Sequence, residues 1–222
     1  MPRTLAAAQR AMEHVNPARG ELIVVDNNST DRTATVAAQA GATVVFEPHN
    51  QISRARNRGA QAATGPAILF IDADTVITPV LLEQALLALG NGACGGGTTI
   101  GTSDAVSPSI RVALGTWNWL APHLGWAAGA FVFCLRRAWE DVGGFREDLY
   151  ASEELHFSRM IAKWGKKEGL RFRILREPID TSMRKAQWYR PARLLAMMIM
   201  LGMAPWLLKQ RKWCGIWYKR PD

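Results

Sequence analysis

Two acids separated by one small residue close the apolar run Ala67-Ile68-Leu69-Phe70-Ile71-Asp72-Ala73-Asp74. Carboxylates are hard oxygen ligands, and a pair of them suits Mg2+ or Mn2+, ions that usually hold substrate phosphates as well. Five unbroken apolar residues read as a strand buried on both faces, in the middle of a parallel sheet. Open α/β sheets bind ligands beyond the carboxyl ends of their strands, which is where both acids fall. Side-chain alternation sends Asp72 and Asp74 out on the same side. A ligand-free Asp-rich turn is the plain alternative for so short a motif. A second acid pair, Glu153-Glu154, follows Ser152 at the head of a helix reaching Gly165. A helix N-terminus favours ionised carboxylates, and complementing that dipole is the bland role open to both.

These acids need strands and helices to carry them. Residues 4–14 are Ala-rich and free of Gly and Pro, hence a helix. Strands follow at 21–25 and 42–46, with the cap-forming Asp26-Asn27-Asn28-Ser29-Thr30-Asp31 and a helix between them. A helix over 53–63 leads into the Asp72/Asp74 strand, and Thr78-Pro79 opens another through Leu89. This alternation predicts βαβ units and a mainly parallel sheet. The Gly-rich stretch 90–102 reads as a strand approached closely by other backbone. An aromatic-rich helix over 109–124, an apolar run over 126–135 and a Gly143-Gly144 turn follow. Ser152 is the expected cap of the Glu153/Glu154 helix, and 170–175 alternates like an exposed or edge strand.

The order and spacing of these motifs resemble the GT-A fold glycosyltransferases, specifically family 2. The residues that carry the resemblance are Val24-Val25-Asp26-Asn27-Asn28-Ser29-Thr30-Asp31, Ala55-Arg56-Asn57-Arg58-Gly59, Phe70-Ile71-Asp72-Ala73-Asp74, Gly143-Gly144-Phe145 and Ser152-Glu153-Glu154. The resemblance implies an α/β, Rossmann-like fold, a nucleotide-diphospho-sugar donor, a divalent metal (Mg2+ or Mn2+) and an inverting transfer to a hydroxyl acceptor. It places Asp26 and Asn27 against the base and ribose, although relatives often carry a second Asp where this chain has Asn27. Arg54, Arg56 and Asn57 resemble the donor-binding helix, whereas Arg58 reads as part of a solvated basic face. Asp72 and Asp74 resemble the DXD pair, with Asp74 on the metal and Asp72 on ribose or metal. Glu154 takes the position of the general base, with Glu153 the alternative. Thr181-Ser182-Met183-Arg184-Lys185 resembles a stretch whose cations close over the diphosphate, and a basic run beside a membrane is the competing reading. The family's first strand is missing from the chain as given, since Met1-Pro2-Arg3 leads straight into a helix. Either the start lies upstream or the donor pocket lacks one wall.

The charge is as uneven as the motifs. The formal net charge is +8, from 27 Lys and Arg against 19 Asp and Glu. Residues 183–222 hold nine of the cations and one acid, which leaves 18 of each sign in 1–182. A neutral body argues against nucleic acid as partner, and a basic tail argues for an anionic surface. Residues 194–208 form an uncharged run about 22 Å long as a helix, against a hydrocarbon core of roughly 30 Å. Flanked by cations and tryptophans, the run reads as a helix lying in the membrane interface. The alternatives are packing on the body or on a second copy in a homo-oligomer. The expected organisation is therefore a glycosyltransferase domain over 1–185, with a nucleotide half to about 103 and an acceptor half from about 104, and a membrane-associating tail over 186–222. Three scattered cysteines and no apolar leader point to the cytosol; together with the resemblance and the basic tail, the expectation is a glycosyltransferase on the cytoplasmic face of the membrane, with a lipid-linked or envelope-glycan acceptor. Two other functions compete: an impaired GT-A module serving as a membrane-bound partner, and a sugar nucleotidyltransferase, which would favour a basic Gly-rich loop not found here.

Overall fold

The computed structural model describes residues 1–15, 20–183 and 204–218. Helix α1 (Pro2–His14) precedes β1 (Ile23–Asp26), α2 (Thr33–Gln39), β2 (Thr43–Phe46), α3 (Ile52–Ala62) and β3 (Ala67–Ile71). The two-residue β4 (Thr75–Val76), α4 (Pro79–Gly90), β5 (Ala93–Gly101), α5 (Pro108–Leu124), β6 (Phe131–Leu135) and α6 (Arg136–Val142) follow. Last come α7 (Glu153–Lys167), β7 (Arg171–Thr181), a 3-10 turn (Pro205–Lys209) and α8 (Gly215–Tyr218).

The α/β architecture is the expected one, but the sheet is mixed rather than mainly parallel. Strands β1 and β2 form a parallel pair of their own. The other five run in the order β3-β6-β5-β7-β4, where only β5 and β7 are parallel. Strand β6 doubles back from the end of α5 and lies antiparallel between β3 and β5. Strand β3 is therefore a margin of the larger sheet and pairs antiparallel with β6 alone. The first half of β7 is an edge, as its alternation suggests, because β4 reaches only Asp180 and Thr181.

Local chemistry explains the elements that carry the site. The Thr78 hydroxyl accepts from Leu81 N at 3.1 Å, and Pro79 begins α4. In β5, a Cβ on Gly96 would lie 1.8 Å from the Arg173 carbonyl oxygen, and one on Gly95 would lie 2.6 Å from that of Phe133. Bare glycine lets β6 and β7 close on both sides of β5. Ser152 does not cap α7 through its side chain; it sits at φ +58°, in the left-handed region, and turns the chain sharply into the two glutamates. Below them, Phe145 stacks on Phe157 at 4.1 Å and meets Phe70 edge-on at 4.9 Å. These three rings join β3, the Gly143-Gly144 turn and α7 into one platform.

Of the tail, the run 194–203 and the cations Arg184, Lys185, Arg190 and Arg193 lie outside the described residues. Residues 205–209 do not continue a helix from 194 as expected but form a 3-10 turn packed on the body. Tyr150 N donates to the Leu208 carbonyl at 2.7 Å, and Lys209 pairs with Asp148 at 3.0 Å. Pro205 begins the turn, and those body contacts hold it. Among the described residues no helix is long and apolar enough to cross a membrane.

Candidate active site

Arg56 collects the site. From α3 its Nη1 donates to Glu153 at 2.9 Å, while its Nη2 donates to Asp72 at 3.1 Å and to the Gly129 carbonyl at 2.8 Å. Its guanidinium also lies 5.3 Å from the Phe145 ring centroid. The Arg56 side chain is 9% exposed and that of Glu153 is 4% exposed, whereas Asp72 is 44% open to solvent. One buried cation thus joins the end of β3, the start of α7 and the loop before β6. Burial alone would lower the Arg56 pKa, but the charges of Asp72, Glu153 and Glu154 outweigh it and raise it.

The acid pair after β3 leaves the strand in a turn rather than along it. Thr75 N donates to the Asp72 carbonyl at 3.1 Å, and Asp72 N donates to that of Ala130 at 3.3 Å. Strand alternation therefore does not set the directions of Asp72 and Asp74; the turn between β3 and β4 does. Among the described residues no three His, Cys, Asp or Glu side chains gather to hold a metal. Two carboxylates on one tight turn still fit a divalent ion that takes its other ligands from phosphate and water.

Glu154 stands differently from its neighbour. Burial first, then the charge of Glu153, pushes its carboxyl well above the ordinary range, with Arg56 pulling the other way. As a residue it is half-buried, and it lies over Gly129, where an added Cβ would come 3.5 Å from the Glu154 carboxyl carbon. Glu153, by contrast, is the member of the pair that Arg56 holds.

The remaining candidates divide. Asn27 and Asn57 both hold loops. The Asn27 amide donates to the carbonyls of Glu47 at 3.1 Å and His49 at 2.5 Å, and its oxygen accepts from Gln51 N at 3.0 Å. Asn57 donates to the Phe145 carbonyl and accepts from Phe145 N, both at 2.8 Å. Arg54 pairs with Glu147 at 3.2 Å, away from the Arg56 cluster. Asp26 accepts from Ser29 N at 3.0 Å at the end of β1. Arg184 and Lys185 lie outside the described residues, but the stretch leading to them passes the acid turn: the hydroxyls of Thr181 and Thr75 are 3.0 Å apart.

Gly129, Glu147 and the C-terminal segment are site residues that motif reading misses. No local pattern marks Gly129, which matters only because Arg56 reaches its carbonyl. Cys214 and Tyr218 close the side next to Glu153. Burial pushes the Cys214 thiol up to about 11 and the Tyr218 hydroxyl to about 12, and the Glu153 charge adds to both.

Comparison with known proteins bears on the family and the fold. The profile described as glycosyl transferase family 2 matches residues 1–142. An uncharacterized glycosyltransferase of Mycobacterium tuberculosis is 41% identical over 106 residues, which are 47% of this chain and 44% of that protein. The match therefore spans less than half the length of that relative. Among solved structures, glucosyl-3-phosphoglycerate synthase from Mycobacterium tuberculosis, in complex with Mn2+ and UDP-glucose, aligns over 100% of this chain and 76% of its own, with TM-score 0.59 and 18% identity. The mannosyltransferase PcManGT from Pyrobaculum calidifontis, in complex with GDP-mannose and Mn2+, aligns over 98% and 68%, with TM-score 0.60 and 18% identity. At such identities the likeness is one of fold.

Proposed function

Because this chain belongs to glycosyl transferase family 2, we propose that it moves a sugar from a nucleotide-diphosphate donor to a hydroxyl acceptor with inversion at the anomeric carbon. The observation that carries the reading is the bridge through Arg56, which brings the Asp72 turn and the Glu153/Glu154 pair into one site. Mn2+-bound nucleotide sugars in the two solved structures support a metal and donor of that class.

In this reading Asp74 and Asp72 would hold a divalent ion, whose charge would offset that of the diphosphate. Asp26 and the end of β1 face the nucleoside. Asn27 and Asn57 act by fixing the loops around the donor, and Arg54 stands at its edge. Glu154 accepts the proton of the acceptor hydroxyl as that oxygen bonds to the anomeric carbon. The bond from that carbon to the donor phosphate oxygen breaks, and its electron pair leaves with the diphosphate. Glu153 holds Arg56, and Arg184 and Lys185 close over the phosphates.

The division into a nucleotide half to about 103 and an acceptor half to about 185 belongs to the same proposal. So do a basic tail on the cytoplasmic membrane face and an acceptor that is lipid-linked or part of the cell envelope. Exposed Trp206 and Trp213 beside Lys209, Arg211 and Lys212 support that tail.

Calorimetry of UDP and GDP with and without Mn2+ tests the core of the proposal. Binding of one diphosphate should require Mn2+, and Asp74→Ala should abolish it. Metal-independent binding, or unchanged affinity in the variant, removes Asp74 from the metal site.

A further inference from the structure

Residues 1–182 are neutral in total, but their charges are not evenly spread. Residues 159–176 hold seven of the 18 cations and one acid, and all seven cations are exposed. Four of them, Arg159, Lys163, Lys166 and Lys167, form a stripe along α7, on the side opposite the buried Phe157 and Ile161. Like charges four residues apart oppose the helix that carries them, a cost that an anionic partner would offset. Arg171 and Arg173 alternate with Phe172 and Ile174, which pack on the α7 side, and so belong to the other face of β7.

Helix α5 lies beside this stripe. Arg159 Cζ is 5.3 Å from the Trp126 ring centroid, and that ring is 6.3 Å from the ring of Trp117 on α5. Of the 17 residues of α5 only Ala121 is buried. Val112 is 70% exposed and Trp119 is 66% exposed, and their spacing of two helical turns puts both on one outward line. Between Asp104 and Glu140 the sequence has no acid, and α5 carries Arg111 but no other Lys, Arg, Asp or Glu. An outward apolar line thus runs next to a basic stripe. An anionic lipid surface answers both: Val112 and Trp119 enter the headgroup boundary, while the long Lys and Arg side chains reach phosphates. A second copy would bring the same four cations to an isologous contact. Nucleic acid would meet the cations but leave Val112 in water.

We propose that α5 and the outer stripe of α7 form a docking face for anionic lipid, carried by the body of the protein and separate from the C-terminal tail. The face stands next to the acid pair, since α7 begins at Glu153 and the Trp126 loop runs on to Gly129 beneath Glu154. Delivery of a lipid-borne hydroxyl to Glu154 rests on the glycosyltransferase reading; the lipid contact does not.

Flotation of the full chain with phosphatidylcholine vesicles, with and without phosphatidylglycerol, tests the face. Changing Arg159, Lys163, Lys166 and Lys167 together to Gln should weaken binding to the anionic vesicles by roughly tenfold or more, and so should Val112→Ser with Trp119→Ser. Equal binding of the parent chain to neutral vesicles, or no loss in either variant, overturns the proposal. Because Cys94, Cys134 and Cys214 are buried, an environment-sensitive dye on Val112→Cys then locates the contact. Its emission should shift to the blue on adding the anionic vesicles. Unchanged emission assigns flotation to the tail and refutes the face. A shift that follows protein concentration without lipid assigns it to a second copy, and one produced by an RNA oligonucleotide but not by vesicles assigns it to nucleic acid; either refutes the lipid contact. Should the four-cation variant fail to fold, the dye on the otherwise unchanged chain still decides. Calorimetry of UDP and GDP with Mn2+ should be the same in every variant, and it reports separately on the donor reading.

Discussion

Replacing Arg56 with methionine isolates the interaction on which the site geometry rests. Methionine is a similar unbranched chain that cannot ion-pair, so the loss falls on the groups the guanidinium served. Asp72, 44% exposed, is resolvated at little cost. Glu153, 4% exposed, is not, and neither is the Gly129 carbonyl. Removing one partner of a buried pair costs about 3–5 kcal/mol, because the other charge is left uncompensated. In a domain of this size that is roughly 6–20 °C in Tm. Adding Glu153→Met should restore much of the loss, since it removes the stranded charge. Urea unfolding of the four proteins of the cycle at pH 8 measures this. A loss below about 1 kcal/mol at pH 8, the range of exposed pairs, would refute the buried bridge.

Glu154→Gln should leave donor affinity unchanged and lower turnover by roughly 10²–10⁴-fold; Glu153→Gln should instead act mainly on stability, and a reversal of the two would make Glu153 the base. Because burial raises the Glu154 carboxyl, activity should rise with pH as that group loses its proton, while the stability gained by Glu154→Gln should grow as pH climbs from the ordinary carboxylate range toward that raised value and then level off; a flat difference in urea midpoint would contradict the shift. Gly144→Ala should destabilise by at least about 1–2 kcal/mol, since Gly144 has φ +73° and a Cβ there would lie 2.5 Å from Asn57 Oδ1. Trp206→Ala with Trp213→Ala should weaken flotation with anionic vesicles without changing Tm, as both rings are exposed; undiminished flotation would remove these rings from the membrane contact.

The legible parts of this chain are those in which neighbouring residues decide the outcome. The apolar run ending at Asp72, the Thr78-Pro79 helix start and the glycines of β5 each state a local constraint; the last two are met, and the run does form a strand, but one at an antiparallel margin whose burial alternates instead of one buried on both faces in a parallel sheet. Arg56 is different. Its position on a helix was readable, but its partners lie 16, 73 and 97 residues away. No pattern in the helix reveals that a basic side chain points inward to three other elements. The two asparagines make the same point from the other side. A polar residue at a strand end can meet a ligand or tie a loop, and its type is the same in both cases. Asn27 and Asn57 bond to the backbone of distant loops, so each shapes the pocket through the loop it holds. The mixed sheet has the same origin, because the direction of β6 depends on where α5 ends in space. A motif can therefore mark Asp72 and the Glu153-Glu154 pair as candidates, while the single arginine that bridges Asp72 to Glu153 is found only once the chain is folded.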